Sequence, residues 1–216
     1  MCEGKDDLGF LCYWLNSPAL ADNKAFSTDF QILPFDGTGN LPTFLEALKV
    51  RSGFGIVESI LVVRDADENA DSAKESVISA FKQAKLPTPK KPHEWQTDGQ
   101  IKTGFLLFPT CTQDAENGTL EDLCLQILKD EKSNEVITRA NHLIDSLKKD
   151  DLRTFPHEHK AKLHTYFSVT DEYISLKVGE AAKAGAFDWN SSKLSPLRAF
   201  LEELLERQNE EDTTDA

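Results

Sequence analysis

The sequence has no long apolar run, since no stretch approaches the roughly 20 apolar residues that a membrane-spanning helix requires. Its first seven residues, 1–7, are acidic where a secretory signal would be basic and then apolar. There is no Cys-x-x-Cys pair, so we expect the widely spaced Cys2, Cys12, Cys111 and Cys124 to be reduced thiols. These absences predict a cytoplasmic protein that does not contact a membrane.

Basic residues are also scarce, with 24 Lys and Arg against 37 Asp and Glu, which gives a net charge of −13. Proteins that bind nucleic acid by neutralising many phosphates are basic, so this charge balance argues against an extended nucleic-acid-binding surface. Any binding of phosphate must then use a local device such as a bound cation. The 216 residues are 39% hydrophobic, which is enough for a packed core and excludes wholesale disorder.

Strand and helix patterns alternate along the chain. The apolar runs Val57–Val63 and Thr103–Phe108 predict strands that are covered on both faces, and Phe30–Phe35 is a shorter strand candidate. Asp6 or Asp7 is expected to cap a first helix. Further helices are predicted at 42–50, 69–84, 120–129, 135–148, 160–182 in two pieces, and 194–205.

This alternation predicts an α/β fold with a mostly parallel sheet between layers of helices. We expect residues 1–130 to form the α/β core and residues 131–207 to form a helical elaboration packed on it. Residues 208–216 are polar and acidic, and we expect a flexible tail there.

Acidic residues fall where the predicted elements begin or end. Glu3 and Asp7 are four residues apart, which would place both on one face of a helix. Asp65 and Asp67 follow a buried strand, and extended geometry would point both to one side. Glu121 lies in the first turn of a later helix. Ligands of open α/β sheets bind at the carboxyl ends of the strands, where such carboxylates suit Mg²⁺ or Mn²⁺.

Each acidic site also has an ordinary structural interpretation. Glu3 and Asp7 would interact favourably with a helix dipole, and Asp65 and Asp67 would suit a turn and a helix cap. Glu121 alone would be a solvated residue of a first turn. The functional interpretation therefore depends on the joint occurrence and the order of the five acids.

In this order the motifs resemble the Toprim domain of topoisomerases, bacterial primases, recombination-repair proteins and nucleases of the overcoming-lysogenisation-defect type. The segments that carry the resemblance are Glu3-Gly4-Lys5-Asp6-Asp7, Asp65-Ala66-Asp67 after an apolar strand, and Gly118-Thr119-Leu120-Glu121. The chain looks closest to small stand-alone Toprim-like proteins of unknown function. The resemblance covers roughly residues 2–130, and it implies a three-layer Toprim-like sheet.

The resemblance also implies roles for individual residues. Glu3 would be the metal-coordinating or general acid–base glutamate, with Asp7, Asp65, Asp67 and Glu121 as further metal ligands. A downstream lysine, Lys160 or Lys162, would stabilise charge in the transition state. We expect Lys160 to be catalytic together with Glu3.

The family places an apolar strand directly before its Glu-Gly motif, whereas only Met1 and Cys2 precede Glu3 here. We therefore expect this first strand to be absent or stunted. The implied function is metal-dependent cleavage of phosphodiesters, on nucleic acid or nucleotides, in phage defence or DNA repair. Two alternatives stay open: a non-catalytic module that binds metal or a nucleotide, and a partner subunit of an ATPase.

Overall fold

The computed structural model describes residues 1–21, 30–130 and 135–214, of which 130 and 205–214 are described by their backbone alone. In these residues the sheet has three strands: β1 (Ser59–Asp65), β2 (Gln96–Asp98) and β3 (Ile101–Phe108), in the order β1-β3-β2. β1 and β3 run parallel, and β2 is antiparallel to β3. The α/β class is therefore confirmed, with a smaller and mixed sheet in the described part of the chain.

The chain's first two residues extend this sheet on the far side of β1. Cys2 forms parallel bridges with Val63 on one side and with Pro34 on the other. The Val63 N–H donates a hydrogen bond to the Met1 carbonyl (2.8 Å), and the Met1 ammonium donates to the Leu61 carbonyl (2.5 Å). Cys2 thus forms isolated bridges beside β1 and is not part of a regular strand.

Helices cover both faces of the sheet. Alternate residues of β1 and β3 point to opposite faces, as strand geometry requires, so Val62 and Phe105 belong to one buried cluster and Val63 and Leu106 to the other. Six helices lie in or beside the 1–130 core region: α1 (Lys5–Leu15), α2 (Pro18–Ala21), α3 (Leu41–Lys49), α4 (Ala70–Gln83), α5 (Leu120–Asp130) and α6 (Glu135–Lys149). α3 and α4 pack on the first face, whereas α1 and α5 pack on the second.

The later helices share the second cluster. They are α7 (Glu158–Ser168), α8 (Val178–Lys183) and α9 (Ser195–Thr214). Phe167, Val178 and Leu197 are buried there beside residues of α1 and α5. α9 continues through most of the segment from 208 that the sequence predicts as a tail, and residues 215–216 lie outside the described residues. None of the described helices is both long and apolar enough to cross a membrane.

Two local predictions differ from the structure, and one strand was not predicted. Phe30–Phe35 is not a regular strand, since within this segment only Pro34 forms a bridge, to Cys2. The short polar strand β2 was not predicted, since it has no apolar alternation. The cap of α1 is Gly4 rather than Asp6 or Asp7, and the Asp7 carboxylate accepts a hydrogen bond from the Gly4 N–H (3.1 Å).

Candidate functional site

The loops that follow β1 and β3 are tied together by backbone hydrogen bonds. Asp67 and Gly118 exchange two of them, at 2.9 and 2.8 Å. Gly118 has a φ of 138°, and a Cβ atom there would lie 2.9 Å from a carboxylate oxygen of Asp122, so glycine is required. This connection brings the carboxyl end of β1 against the first turn of α5.

Asp65 is the last residue of β1 and lies in this junction. Its Oδ1 accepts a hydrogen bond from the Leu120 N–H (2.8 Å), at the first residue of α5. Burial, the charges of Asp7 and Glu121, and the charge of Glu3 raise the pKa of Asp65 to about 8. The Asp65 carboxylate therefore lies within electrostatic range of three other carboxylates, in a partly buried position.

Glu3 and Asp7 lie on the same side of the junction, at the start of α1. α1 begins at Lys5, so Glu3 precedes the helix and the prediction that both acids share one helical face is wrong. The two carboxylates nevertheless interact electrostatically, and burial together with the charge of Glu3 raises the pKa of Asp7 to about 7. Burial also raises the pKa of Glu3.

Two oxygens in this cluster are buried without hydrogen bonds. Asp7 Oδ1 and Glu3 Oε2 have no hydrogen-bond partner in the part of the chain that the structure describes. Asp7 as a whole is 8% exposed. Glu3 Oε2 has the Arg64 guanidinium 3.8 Å away, whereas Asp7 Oδ1 has no such contact among the described residues. A buried carboxylate oxygen without a hydrogen bond is costly, and such atoms often bind a cation or a proton in function.

Glu121 and Lys160 form the other side of the cluster. Glu121 is buried in the first turn of α5, and the Lys160 ammonium on α7 lies 3.2 Å from its Oε1. Although burial lowers the pKa of Lys160, the charge of Glu121 and the hydrogen bond to it outweigh that effect and raise it. Lys162, the other lysine candidate, instead contacts Asp145 and Glu158, at 2.7 Å each.

Asp67 does not follow the extended geometry that the sequence suggested. Its φ is 55°, in the left-handed region, so the expectation that Asp65 and Asp67 point the same way is wrong. The Asp67 carboxylate is half exposed and lies 2.7 Å from the Arg64 guanidinium. Its charge still acts on Glu3, so Asp67 lies at the edge of the cluster.

Arg64 was not identified from the sequence, although it lies directly before Asp65. Arg64 is only 4% exposed. Its Nε donates a hydrogen bond to the Asp65 carbonyl (2.9 Å) and also lies 3.8 Å from Glu3 Oε2. A buried arginine needs anionic partners. An arginine at the end of an apolar strand, followed by Asp-x-Asp, is the signal that would have pointed to it.

Glu3, Asp7, Asp65 and Glu121 therefore converge at the carboxyl end of β1, with Asp67 at the edge. Carboxylate oxygens are the ligands that Mg²⁺ and Mn²⁺ prefer. Within residues 1–21, 30–130 and 135–214, no three His, Cys, Asp or Glu side chains are arranged so that they could hold a metal ion as they stand. Binding a cation would thus require side-chain rotations or added waters.

The sequence was compared with family models, curated proteins and solved structures, and one family model matches it. No curated protein and no solved structure matches the chain. A family model matches residues 1–206, and its description is protein of unknown function, DUF3226. Because the match covers nearly the whole of the 216 residues, the chain belongs to the DUF3226 family.

Proposed function

We propose that this protein is a Toprim-like phosphodiesterase that depends on Mg²⁺ or Mn²⁺ and acts on nucleic acid or nucleotides. The observation that supports it most is Asp7 Oδ1, a buried carboxylate oxygen that has no hydrogen-bond partner among the described residues and lies near the carboxylate of Asp65. Folding gains nothing from burying these acids together, because like charges in a desolvated site repel. A function that uses them is the simplest reason for their arrangement.

The donor set fits a hard divalent cation. Glu3, Asp7, Asp65 and Glu121 would hold it after side-chain rotations, since their carboxylates act on one another and Asp7 Oδ1 has no hydrogen-bond partner among the described residues. Such a cation, when bound, polarises a phosphoryl oxygen and lowers the pKa of a water molecule. Asp67 would reach the ion only by leaving Arg64, so we place it at the periphery of the set.

The protein's own cations complete the proposed site. Lys160 is half exposed and reaches the cluster from α7, so its ammonium can pass from Glu121 to a phosphate oxygen at the surface. Arg64 is buried and holds Asp67, which fixes the loop after β1. In a protein with a net charge of −13, Lys160 supplies local positive charge that an anionic substrate would meet, whereas the buried Arg64 acts through Asp67.

Metal binding and cleavage can be tested together. Thermal unfolding and cleavage of single-stranded and double-stranded DNA are measured with increasing MgCl₂ or MnCl₂ for the wild type, Asp65→Ala and the control Asp114→Ala, whose side chain is exposed in a loop. The proposal expects a metal-dependent rise of the melting temperature and metal-dependent cleavage, both lost in Asp65→Ala and kept in Asp114→Ala. A folded wild-type protein that responds to neither metal would contradict the proposal.

The ion pairs in the site favour a second candidate. Arg64 with Asp67 and Lys160 with Glu121 already neutralise two of the acids, as in a non-catalytic module that keeps the fold and binds a metal or nucleotide. The same titration separates the candidates, because such a module would be stabilised by metal or nucleotide and would cleave nothing.

A further inference from the structure

The acidic cluster at the carboxyl end of β1 already holds a cation of its own. The Lys160 ammonium lies 3.2 Å from Glu121 Oε1, in the first turn of α5. Its charge also acts on Glu3, and the charge of Asp65 acts on Lys160. Lys160 is therefore within electrostatic range of three of the four carboxylates that would hold a divalent cation.

Arg64, the other cation of the cluster, is held in place by several contacts. Its side chain is buried, its Nε donates to the Asp65 carbonyl, and its Nη2 lies 2.7 Å from Asp67 Oδ2. Withdrawing Arg64 would leave buried polar groups unpaired. Lys160 differs, because its side chain is half exposed and reaches the cluster from α7 on a flexible stem of four carbons. It can turn into solvent as soon as another cation replaces it at Glu121.

One buried oxygen of the cluster is left without a partner. Asp7 Oδ1 has no hydrogen bond among the described residues, and the charges of Glu3 and Glu121 act on Asp7. Partly buried carboxylates within range of one another repel, and the single charge of Lys160 offsets only part of this repulsion. A divalent cation carries twice that charge and prefers carboxylate oxygens, so the cluster would favour it over the ammonium.

Lys160 cannot keep its place on Glu121 while a divalent cation binds the same carboxylate. Like charges a few ångströms apart in a partly buried site repel strongly, because the local dielectric constant is below that of water. In residues 1–21, 30–130 and 135–214, no three His, Cys, Asp or Glu side chains could hold a metal ion as they stand. Binding a cation therefore requires a rearrangement, and the contact between Lys160 and Glu121 must open as part of it.

On the basis of the proposed function, we propose that Lys160 is a counter-ion that a divalent metal ion displaces from Glu121, so that metal binding releases the ammonium to the surface. Metal binding and the release of Lys160 are then coupled, and the coupling acts equally in both directions. The released ammonium is free to meet a phosphate group of an anionic substrate. Lys160 thus makes the site ready for the substrate only after the metal has bound.

Metal affinity measured without substrate tests this coupling. MnCl₂ is titrated calorimetrically into the full chain for the wild type, Lys160→Gln and Lys162→Gln. Lys160→Gln should bind Mn²⁺ about tenfold more tightly or better, because no internal charge competes with the ion. Lys162→Gln is the matched control, since Lys162 lies on the same helix and contacts Asp145 and Glu158. Its Kd should stay within about twofold of the wild-type value.

Thermal unfolding separates competition from support of the fold. Without metal, Lys160→Gln should melt below the wild type, because Glu121 has lost its cation. Saturating MnCl₂ should remove most of this difference, since tighter binding to the folded state stabilises the variant more. Lys160→Arg keeps the charge and should resemble the wild type in both measurements. A lysine that only supported the fold would leave the same difference with and without metal.

A measurement on the wild type needs no variant to fold. A short pulse of an amine-acetylating reagent is applied with and without MnCl₂, and mass spectrometry gives the extent of acetylation at Lys160 and at Lys162. Metal should speed acetylation of Lys160 severalfold, because the released side chain is more exposed. Lys162 should react at the same rate in both conditions.

The outcomes distinguish this inference from the proposed function. Equal Mn²⁺ affinity in the wild type and Lys160→Gln, with unchanged acetylation, would overturn the inference and leave the proposed function in place. Equal tightening in Lys160→Gln and Lys162→Gln would also overturn the inference, because it would reflect net charge alone. No Mn²⁺ binding by either folded protein would overturn both. Binding by Lys160→Gln alone would support the inference, because Lys160 would then exclude the ion from the wild type.

Discussion

The Lys160 ammonium lies 3.2 Å from the Glu121 carboxylate, and this contact joins α7 to the first turn of α5. α5 is the next element after β3 among those named and contributes Glu121 to the acidic cluster, whereas α7 lies later in the chain. The candidate site therefore needs both halves of the chain. α7 thus supplies a charged side chain near the carboxyl end of β1 and also packs in the second buried cluster.

Removing the Lys160 charge should reduce cleavage without unfolding the protein. Lys160→Gln leaves Glu121 without its cation and removes a positive charge from the place where a phosphate would bind. If the proposed function holds, we expect kcat to fall roughly 10²-fold, as for the loss of one electrostatic contact to a transition state. Lys162→Gln on the same helix is the matched control, because Lys162 contacts Asp145 and Glu158 instead. Equal losses of kcat in both variants would contradict this role of Lys160.

Asp65→Asn should stabilise the metal-free protein at alkaline pH. The folded state holds the pKa of Asp65 at about 8, above its usual value of 3.8, so the folded protein binds a proton that the unfolded chain has released. The contribution of Asp65 to the free energy of unfolding is then fully present below pH 3.8, and it is lost as the pH rises through about 8. The asparagine side-chain oxygen can still accept the hydrogen bond from the Leu120 N–H, and asparagine does not ionise. We therefore expect the free energy of unfolding of Asp65→Asn at pH 8 to exceed that of the wild type by roughly 1–3 kcal/mol.

Urea unfolding in EDTA at pH 4 and pH 8 checks this prediction. The gain should appear at pH 8 and shrink at pH 4, where both side chains are neutral in the folded state. A variant that is destabilised equally at both pH values would show that the Asp65 carboxylate supports the fold.

Much of the fold is predictable from local pattern. The apolar runs of β1 and β3 and the helices α3, α4, α5 and α6 were placed within a few residues of their observed bounds, because their periodicity reflects burial on one or two faces. β2 was missed because its three residues, Gln96–Asp98, carry no apolar signal and pair only through β3. The strand predicted at Phe30–Phe35 was wrong because an apolar run does not by itself supply a ladder partner: within this segment only Pro34 forms a bridge, to Cys2.

The site was predictable in composition but not in geometry. The order of the acids along the chain predicts Glu3, Asp7, Asp65 and Glu121 as site residues; in the fold their charges act on one another, and their role stays a prediction. The positions of Glu3 and Asp67 relative to their elements were wrong, because a helix cap at Gly4 and a left-handed Asp67 depend on loop contacts. Those contacts, such as Asp67 with Gly118, join segments about fifty residues apart.

Glu158 should stabilise the helical half in a pH-dependent way. Hydrogen bonds from Lys148 and Lys162 lower its pKa from 4.5 to about 2. A lowered pKa means that the stabilisation is present above pH 4.5 and is lost as the pH falls towards 2. We expect Glu158→Gln to cost about 0.5–1 kcal/mol at pH 7 in urea unfolding, because the pair is partly solvent-screened. The difference from the wild type should vanish near pH 2.

Glu135→Gln is the control for this prediction. Glu135 pairs with Arg139 one helical turn away, and both side chains are largely exposed. Such pairs contribute only about 0.3–0.5 kcal/mol, so the control should lose less stability than Glu158→Gln. An equal loss in the two variants would mean that the two lysines add nothing to Glu158.

Gly9→Ala should destabilise the protein although alanine is the better helix former. α1 and α8 cross at Gly9 and Gly179, and a Cβ atom on Gly9 would lie 2.7 Å from the Cα of Gly179. Backbone atoms cannot rotate away, so the helices must separate. Alanine would gain about 1 kcal/mol of helix propensity, but overpacking of this kind costs about 1–3 kcal/mol or more. We expect a net loss of about 1–2 kcal/mol in the free energy of unfolding.

Gly39→Ala separates this crossing from general effects of glycine replacement. Gly39 has no atom within 4 Å of a built Cβ, so its replacement should change the free energy of unfolding by less than about 0.5 kcal/mol. Gly179→Ala, whose Cβ would lie 3.2 Å from the Gly9 Cα, should fall between the two. The order of the three losses in urea unfolding tests the crossing directly. If Gly9→Ala were as stable as Gly39→Ala, α1 and α8 would have to pack at a larger separation than the structure gives them.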